Sequence, residues 1–470
     1  MTNKAAKVSV GNMLFNILII AAPVVTGLIL IWLFSLNGTL GMYQWIPPFQ
    51  YLIIAIGVLG VISPLLAFIS RGRRILRGTS IVFAILGILI PLAVGGIYLK
   101  GSLQFATTTT PMLLLTDGVG ANGVPNLALV FRTEEETINS VSYTDGLLSE
   151  KITEPSAVKE HVLSLKDLKA DTHYLWQLND GTSCSFTTPG VQASIDPLYH
   201  FGAGGDPHLS ASPGAGDATI LPAVLKYVTE PDNQFNSFFL LGDFTNMGSS
   251  YKDWQFAINL TAPFTCSVPL RPVMGNHDTF LNGAPQYLAY MYPQEMELQK
   301  GTRLHYRIDS GSVHIIMLEM TWGPERFTGE ESAWFSTQME SIPSDDWTII
   351  MEHSPVYASD SDMDGMQYFD PVEMVQKVAP LFEKYKVDLV ISGHAHHLEF
   401  LQNNGVSYAI VGGLGAPLDS APTNNSLASV WYLFQQHGFL DVTVHPDTIE
   451  LQFRDPNGIE LKSFTVNQNQ

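Results

Sequence analysis

Five short polar motifs stand in order along the chain: 205-GDPH-208, 242-GDFTN-246, 275-GNHD-278, 352-EHSP-355 and 393-GHAH-396. Between them they offer two carboxylates (Asp206 and Asp243), one amide (Asn276) and four imidazoles (His208, His353, His394 and His396). Mixed oxygen and nitrogen donors of this kind suit first-row divalent cations. Seven groups, with one carboxylate shared between two ions, make two four-ligand half-sites. Crowded histidines repel one another as cations but not as neutral ligands. On an extended chain residues i and i+2 point the same way, so Asp206 with His208, and His394 with His396, reach into one cluster. By the same rule His397 faces away. The glycine that opens four of the motifs lets the backbone turn close to the ions.

Apolar, strand-like runs lead into every one of these motifs: 197-PLYHFGA-203, 237-SFFLL-241, 270-LRPVM-274, 347-WTIIM-351 and 387-VDLVI-391. Sites in α/β proteins collect where the carboxyl ends of strands meet loops. Five such endings therefore predict one shared pocket. Residues 107–190 have a different texture. The tract 107-TTTTP-111 reads as an extended spacer, and 127-LALVF-131, 162-VLSL-165, 174-YLWQL-178 and 184-CSFTTP-189 read as short strands. Asp145-Gly146 and Asp180-Gly181 supply hairpin-type turns. Several short strands in so small a span predict a small all-β sandwich.

Charge is distributed unevenly. The chain of 470 residues carries 24 basic and 44 acidic residues, yet residues 1–100 hold no acid and seven basic residues. The remainder is strongly acidic, which argues against nucleic-acid binding, since that relies on Lys and Arg neutralising phosphates. Three uncharged apolar runs, at about 12–36, 46–70 and 80–99, each reach the roughly 20 residues a membrane-spanning helix needs. They predict three transmembrane helices in contact with the lipid bilayer. The loop 71-RGRRILRG-78 carries four arginines, which places it and the N-terminus in the cytoplasm and everything after Lys100 outside. The expected location is thus an integral protein of the cell membrane with an extracytoplasmic catalytic domain. Cys184 and Cys266 have no CxxC spacing and fall in different expected domains, so they read as unpaired thiols.

The ordered series GDxH, GDxxN, GNHD, a lone His and GHxH resembles the calcineurin-like metallophosphoesterase superfamily over about residues 195–465. The run 161-HVLSLKDLKADTHYLWQL-178 resembles the end of a fibronectin type III-like module, and the tail 437–464 resembles the closing strands of purple acid phosphatases. Those enzymes carry such a module before the catalytic domain. Apolar runs, strand pattern and resemblance together predict a multi-domain fold of three transmembrane α-helices (1–100), a small all-β sandwich (107–190) and, from the resemblance, an αββα two-layer-sandwich catalytic domain (195–465). The resemblance implies Asp206, His208 and His396 on a first metal, Asn276, His353 and His394 on a second, and Asp243 bridging. His277 would lie beside the phosphate to stabilise the transition state or protonate the leaving oxygen, with Asp278 orienting it. Where the purple enzymes place a metal-ligating tyrosine, this chain has Asn246, and it has His208 where they have none. Two divalent ions (Mn, Fe, Zn, Ni or Co) in a colourless or weakly coloured centre are expected in place of a tyrosinate–Fe(III) pair.

The expected reaction is hydrolysis of phosphate esters by a hydroxide bridging the two metals. The substrate is a phosphate ester, and the preferred reading is an acid-phosphatase-like phosphomonoesterase. A phosphodiesterase acting on nucleotides or lipid-linked phosphates is the near alternative; a receptor or adhesion protein with a vestigial site is the distant one. Asn246, Tyr357 and His397 are possible pocket residues, and Trp322 and Arg326 lie in loops that could line it. His161, His173, His200, His305, His314, His437 and His445 read as structural.

Overall fold

The computed structural model describes residues 104–470 except 192–195, 295, 297, 299–300, 325–326, 328, 361–367 and 469–470; of the first 103 it describes Ile85, Leu89, Leu92, Ala93 and Gly96. Residues 104–470 form one compact unit. Seven strands come first: β1 (Thr109–Val119), β2 (Pro125–Thr137), β3 (Ser140–Thr144), β4 (Ser149–Thr153), β5 (Val158–Leu165), β6 (His173–Leu178) and β7 (Ser183–Thr187). Strands and helices then alternate: β8 (Tyr199–Gly204), α1 (Ile220–Val228), β9 (Ser237–Leu240), α2 (Tyr251–Thr265), β10 (Leu270–Pro272), α3 (Asn276–Thr279) and α4 (Ala284–Met291). Next are β11 (Tyr306–Ser310), β12 (Val313–Met317), α5 (Gly329–Glu340), β13 (Trp347–Met351), α6 (Val372–Lys377), α7 (Ala379–Lys384) and β14 (Leu389–Ser392). The chain closes with β15 (Leu398–Asn403), β16 (Val406–Val411), β17 (Ser429–Leu433), β18 (Phe439–Val444), β19 (Thr448–Arg454) and β20 (Glu460–Asn467).

Two mixed sheets carry the second half. One runs β11-β12-β13-β14-β16-β15-β17; the other runs β20-β19-β18-β8-β9-β10-β1-β2-β5. Strands β12, β13 and β14 are parallel neighbours, buried throughout and mostly apolar, as strands covered on both faces must be. Their alternation sorts the core. Val313, Ile315, Met317, Ile349, Met351, Leu389 and Ile391 join one hydrophobic cluster with Phe201, Phe239 and Leu440 of the other sheet. Ile316, Ile350 and Val390 point the other way, onto Phe335, Met339, Met374 and Phe382 of α5, α6 and α7. Helix α2 starts at Ser250, whose side chain accepts the Asp253 backbone N–H, and it buries Trp254, Ala257 and Ile258.

The expected fold class needs correction in two places. Among the described residues no helix is long and apolar enough to cross a membrane, which overturns the three-helix membrane portion of that class. The three apolar runs fall outside the described residues, apart from the five helical positions in the last of them. The β-rich segment is also not a separate sandwich. Its strands β1, β2 and β5 extend the nine-stranded sheet, with β1 parallel to β10 at Leu114 and Leu270. The other four form a sheet of order β4-β3-β6-β7. The TTTTP tract supplies the first residues of β1 in place of a spacer. At the seam Arg271 is fully buried, donating to the Tyr306 hydroxyl at 2.6 Å and the Met291 carbonyl at 2.9 Å, with its guanidinium 4.1 Å from the Tyr292 ring centroid.

The reading of two unpaired thiols is wrong as well. Cys184 on β7 and Cys266 at the end of α2 form a disulfide, with Cα atoms 5.8 Å apart and 82 residues between them in sequence. Beside it the buried indole of Trp176 donates to the Cys266 carbonyl at 3.0 Å. No local pattern signals the pairing, because the two cysteines lie in segments of different texture, far apart in the chain.

Candidate metal centre

Strands β8, β9 and β10 run parallel in one sheet, and β13 and β14 run parallel in the other. Their carboxyl ends deliver all five motifs to one place, where the seven candidate ligands meet. Asp206, Asp243, Asn276, His208 and His353 are at most 5% exposed. The assembly does not follow strand alternation, however. Asp206, His208, Asp243 and His394 all have positive φ (64°, 46°, 52° and 66°), so the i and i+2 side chains converge through left-handed kinks. Such conformations cost non-glycine residues of order 1–3 kcal/mol each and cluster at functional sites. The motif glycines mainly make room: a Cβ on Gly275 would lie 2.2 Å from Asp243 Oδ1, and one on Gly393 would lie 2.5 Å from Asp206 Oδ2.

Three imidazoles share one arrangement. His353 Nδ1 donates to the Leu241 carbonyl at 2.7 Å, His396 Nδ1 to the Pro417 carbonyl at 2.8 Å, and His208 Nδ1 to Asn246 Oδ1 at 3.3 Å. With Nδ1 protonated, each Nε2 carries a lone pair, and each of these faces a carboxylate. His208 Nε2 is 3.2 Å from Asp243 Oδ2, His396 Nε2 is 3.6 Å from Asp206 Oδ1, and His353 Nε2 is 3.5 Å from Asp243 Oδ1. Lone pairs set against anions at that range, in a buried place, call for cations between them. Asp206 Oδ1 and His208 Nε2 accordingly have no hydrogen-bond partner, although both are buried.

The donors divide into two sets. Asp206, His208 and His396 form one, with ligand atoms within 4.8 Å of one another. Asn276 Oδ1 lies 2.8 Å from His353 Nε2 and 2.9 Å from His394 Nδ1, forming the other. Asp243 stands between, turning Oδ2 to His208 and Oδ1 to His353. The oxygen, nitrogen and carboxylate chemistry of the residues present fits two divalent ions. Burial opposes ionisation of Asp243, but the neighbouring His353, His277 and His208 hold its carboxyl well below the usual range. Burial, then the His353 ring, pushes His394 down to about 3, keeping it a neutral donor.

His277 sits at the mouth of the site, its ring 4.2 Å from that of His208. Its backbone N–H donates to Asp243 Oδ1 at 2.7 Å, and its Nδ1 donates to the Asn246 carbonyl at 2.9 Å. Burial lowers its pKa. The hydrogen bonds of Asp278 go elsewhere, to the backbone N–H groups of Phe244, Thr245 and Gly275 at 3.3, 3.0 and 3.1 Å. Asp278 thus locks two motif loops together. Burial and the adjacent Asp243 raise its pKa to about 7.

The remaining pocket residues separate. Asn246 lies in the site. Tyr357 packs on Tyr408 in the second core, its hydroxyl accepting from Asn403 Nδ2 at 2.7 Å. His397 is fully buried, 3.1 Å from Glu399 Oε2 and 3.4 Å from Asp419 Oδ2, and it stacks on Phe434. Trp322 and Tyr368 flank His394, with ring centroids 5.7 and 5.6 Å from it. Arg326 lies outside the described residues. Sequence missed Asp419, whose carboxylate takes the His396 backbone N–H at 2.6 Å; no motif surrounds it to signal the role.

Residues 199–398 match the calcineurin-like phosphoesterase family. Purple acid phosphatase 1 of Ipomoea batatas is 27% identical over 282 residues, covering 56% of each chain. The Fe(3+)-Zn(2+) purple acid phosphatase 12 of Arabidopsis thaliana is 24% identical over 61% of each. The chain therefore spans little more than half the length of these curated relatives. In fold it is similar to the purple acid phosphatase PPD1 from yellow lupin (Lupinus luteus) seeds, with a TM-score of 0.61 over 77% of this chain and 75% of that one at 17% identity. Motif order, metal-ready geometry and fold agree: residues 199–398 form a calcineurin-like metallophosphoesterase domain.

Proposed function

We propose that the chain is a dimetal phosphatase that hydrolyses phosphomonoesters. The supporting observation is Asp243, whose two oxygens face two half-sites of lone-pair donors. Asp206, His208 and His396 would hold one ion and Asn276, His353 and His394 the other, with Asp243 shared. Two bound divalent ions supply charge neutralisation for the phosphoryl oxygens and an acidified water. The protein's own part is positional. Carbonyls of Leu241 and Pro417 and the amide of Asn246 fix the imidazole tautomers, so no reorganisation is needed when charge develops. His277, its Nδ1 proton fixed on the Asn246 carbonyl, is left with Nε2 as its exchangeable position, and as the imidazolium it gives the second proton carried there to the leaving oxygen. The relatives named as acid phosphatases favour monoesters over diesters. The disulfide favours an oxidising compartment outside the cytoplasm.

The test is metal reconstitution. The full chain is stripped of metal, given Mn, Fe, Zn, Ni or Co singly, and assayed on matched monoesters and diesters. Monoester turnover at least ten times diester turnover is expected with one or more metals. Higher turnover of diesters would establish a phosphodiesterase, and no turnover with any metal would remove the enzymatic reading.

A further inference from the structure

One residue touches both the metal-ligand set and the proton-delivery histidine through two different oxygens. Asn246 Oδ1 accepts from His208 Nδ1 at 3.3 Å, and Asn246 O accepts from His277 Nδ1 at 2.9 Å. The two rings lie side by side, centroids 4.2 Å apart. The residue is itself held: its backbone N–H donates to the Leu209 carbonyl at 3.0 Å, and Thr245 bridges to Leu209. Its two acceptors are thereby fixed relative to the His208 backbone, one residue before Leu209.

We infer that Asn246 is a positioning residue that sets the tautomers of His208 and His277 together, the first through its side chain and the second through its backbone. A ring that ligates through Nε2 must carry its proton on Nδ1, and that N–H needs an acceptor when buried. For His208, 5% exposed, the acceptor is Asn246 Oδ1. The same proton placement on His277 leaves Nε2 as the nitrogen that takes up and gives away the second, exchangeable proton. The two contacts answer differently to mutation. Replacing the side chain removes the support of His208 and leaves the carbonyl that supports His277.

The inference rests on the dimetal reading above, but its main readout does not use catalysis. Zinc and manganese binding to the full chain is measured by competition with a chromophoric chelator. Asn246→Leu, close in shape but without an acceptor, should weaken one of the two ions by roughly 10- to 100-fold and spare the other. Asn246→Asp keeps the acceptor oxygen and should hold both ions. Either equal affinity in wild type and Asn246→Leu, or equal loss in Asn246→Asp and Asn246→Leu, overturns the inference. A second measurement does not depend on the Asn246 variants. In metal-free wild type with ¹⁵N-labelled histidine, His208, assigned by its loss in His208→Gln, should be protonated on Nδ1; an Nε2–H tautomer overturns it. Failure of phosphatase activity with these results intact would refute the proposed function and leave the positioning role standing.

Discussion

The disulfide offers the sharpest stability prediction. Cys184 and Cys266 close a loop of 82 residues that joins β7 to the end of α2. The chain-entropy relation for such a loop gives about 4.5 kcal/mol lost from the unfolded state at 25 °C. Replacing both cysteines by serine should return that freedom. With a urea m-value of about 3 kcal/mol/M, the unfolding midpoint should fall by roughly 1.5 M. Fluorescence is a suitable assay, because Trp176 donates to the Cys266 carbonyl and is buried next to the bridge. The folded variant should keep its metal content and turnover, since neither cysteine belongs to the candidate centre. A midpoint shift below roughly 0.3 M, with m unchanged, would refute the idea that the bridge constrains the unfolded chain.

Other outcomes follow from the centre. His277→Ala should lower kcat by about 10²–10⁴-fold on alkyl phosphates and far less on an aryl phosphate whose leaving group needs no proton; an equal drop on both substrates would remove the proton-delivery role. Chelation should abolish turnover and lower stability, by about 2.7 kcal/mol for each ion present at 100 times its Kd and so by roughly 5.5 kcal/mol for both, and a melting curve with and without chelator checks this. Gly275→Ala would place a Cβ 2.2 Å from Asp243 Oδ1, so metal analysis of the purified variant should show loss of at least one ion; full occupancy would show that the loop can yield.

Much of the centre was legible because its donors are rare residue types in a fixed order, each behind an apolar strand. Their mode of convergence was not. Strand alternation is a rule for extended chain, and Asp206, His208 and His394 leave the extended region with positive φ. Nor was the partner of the His277 ring legible: the orienting acceptor is a backbone carbonyl, which every residue has, and sequence cannot single one out. The same limit hid the Leu241 and Pro417 carbonyls behind His353 and His396. The β-rich segment showed its strands by alternation, yet alternation is silent on which sheet a strand joins. The pairing of β1 with β10 and the Cys184–Cys266 bridge are both contacts between distant segments, decided by packing that no local pattern records.

The shared sheet also has a consequence in time. Leu114 of β1 pairs with Leu270 of β10, 156 residues later in the chain. At a synthesis rate of about 5–20 residues per second, β1 waits roughly 8–30 s for that neighbour to be made. Strands β2 and β5 arrive sooner and can close one side of the ribbon, but the edge bearing 112-MLLLT-116 stays open until β10 arrives. Cys184 waits about 4–16 s for Cys266, 82 positions later. The β-rich segment is thus completed late, and its open apolar edge is exposed to other chains while the next 156 residues are made.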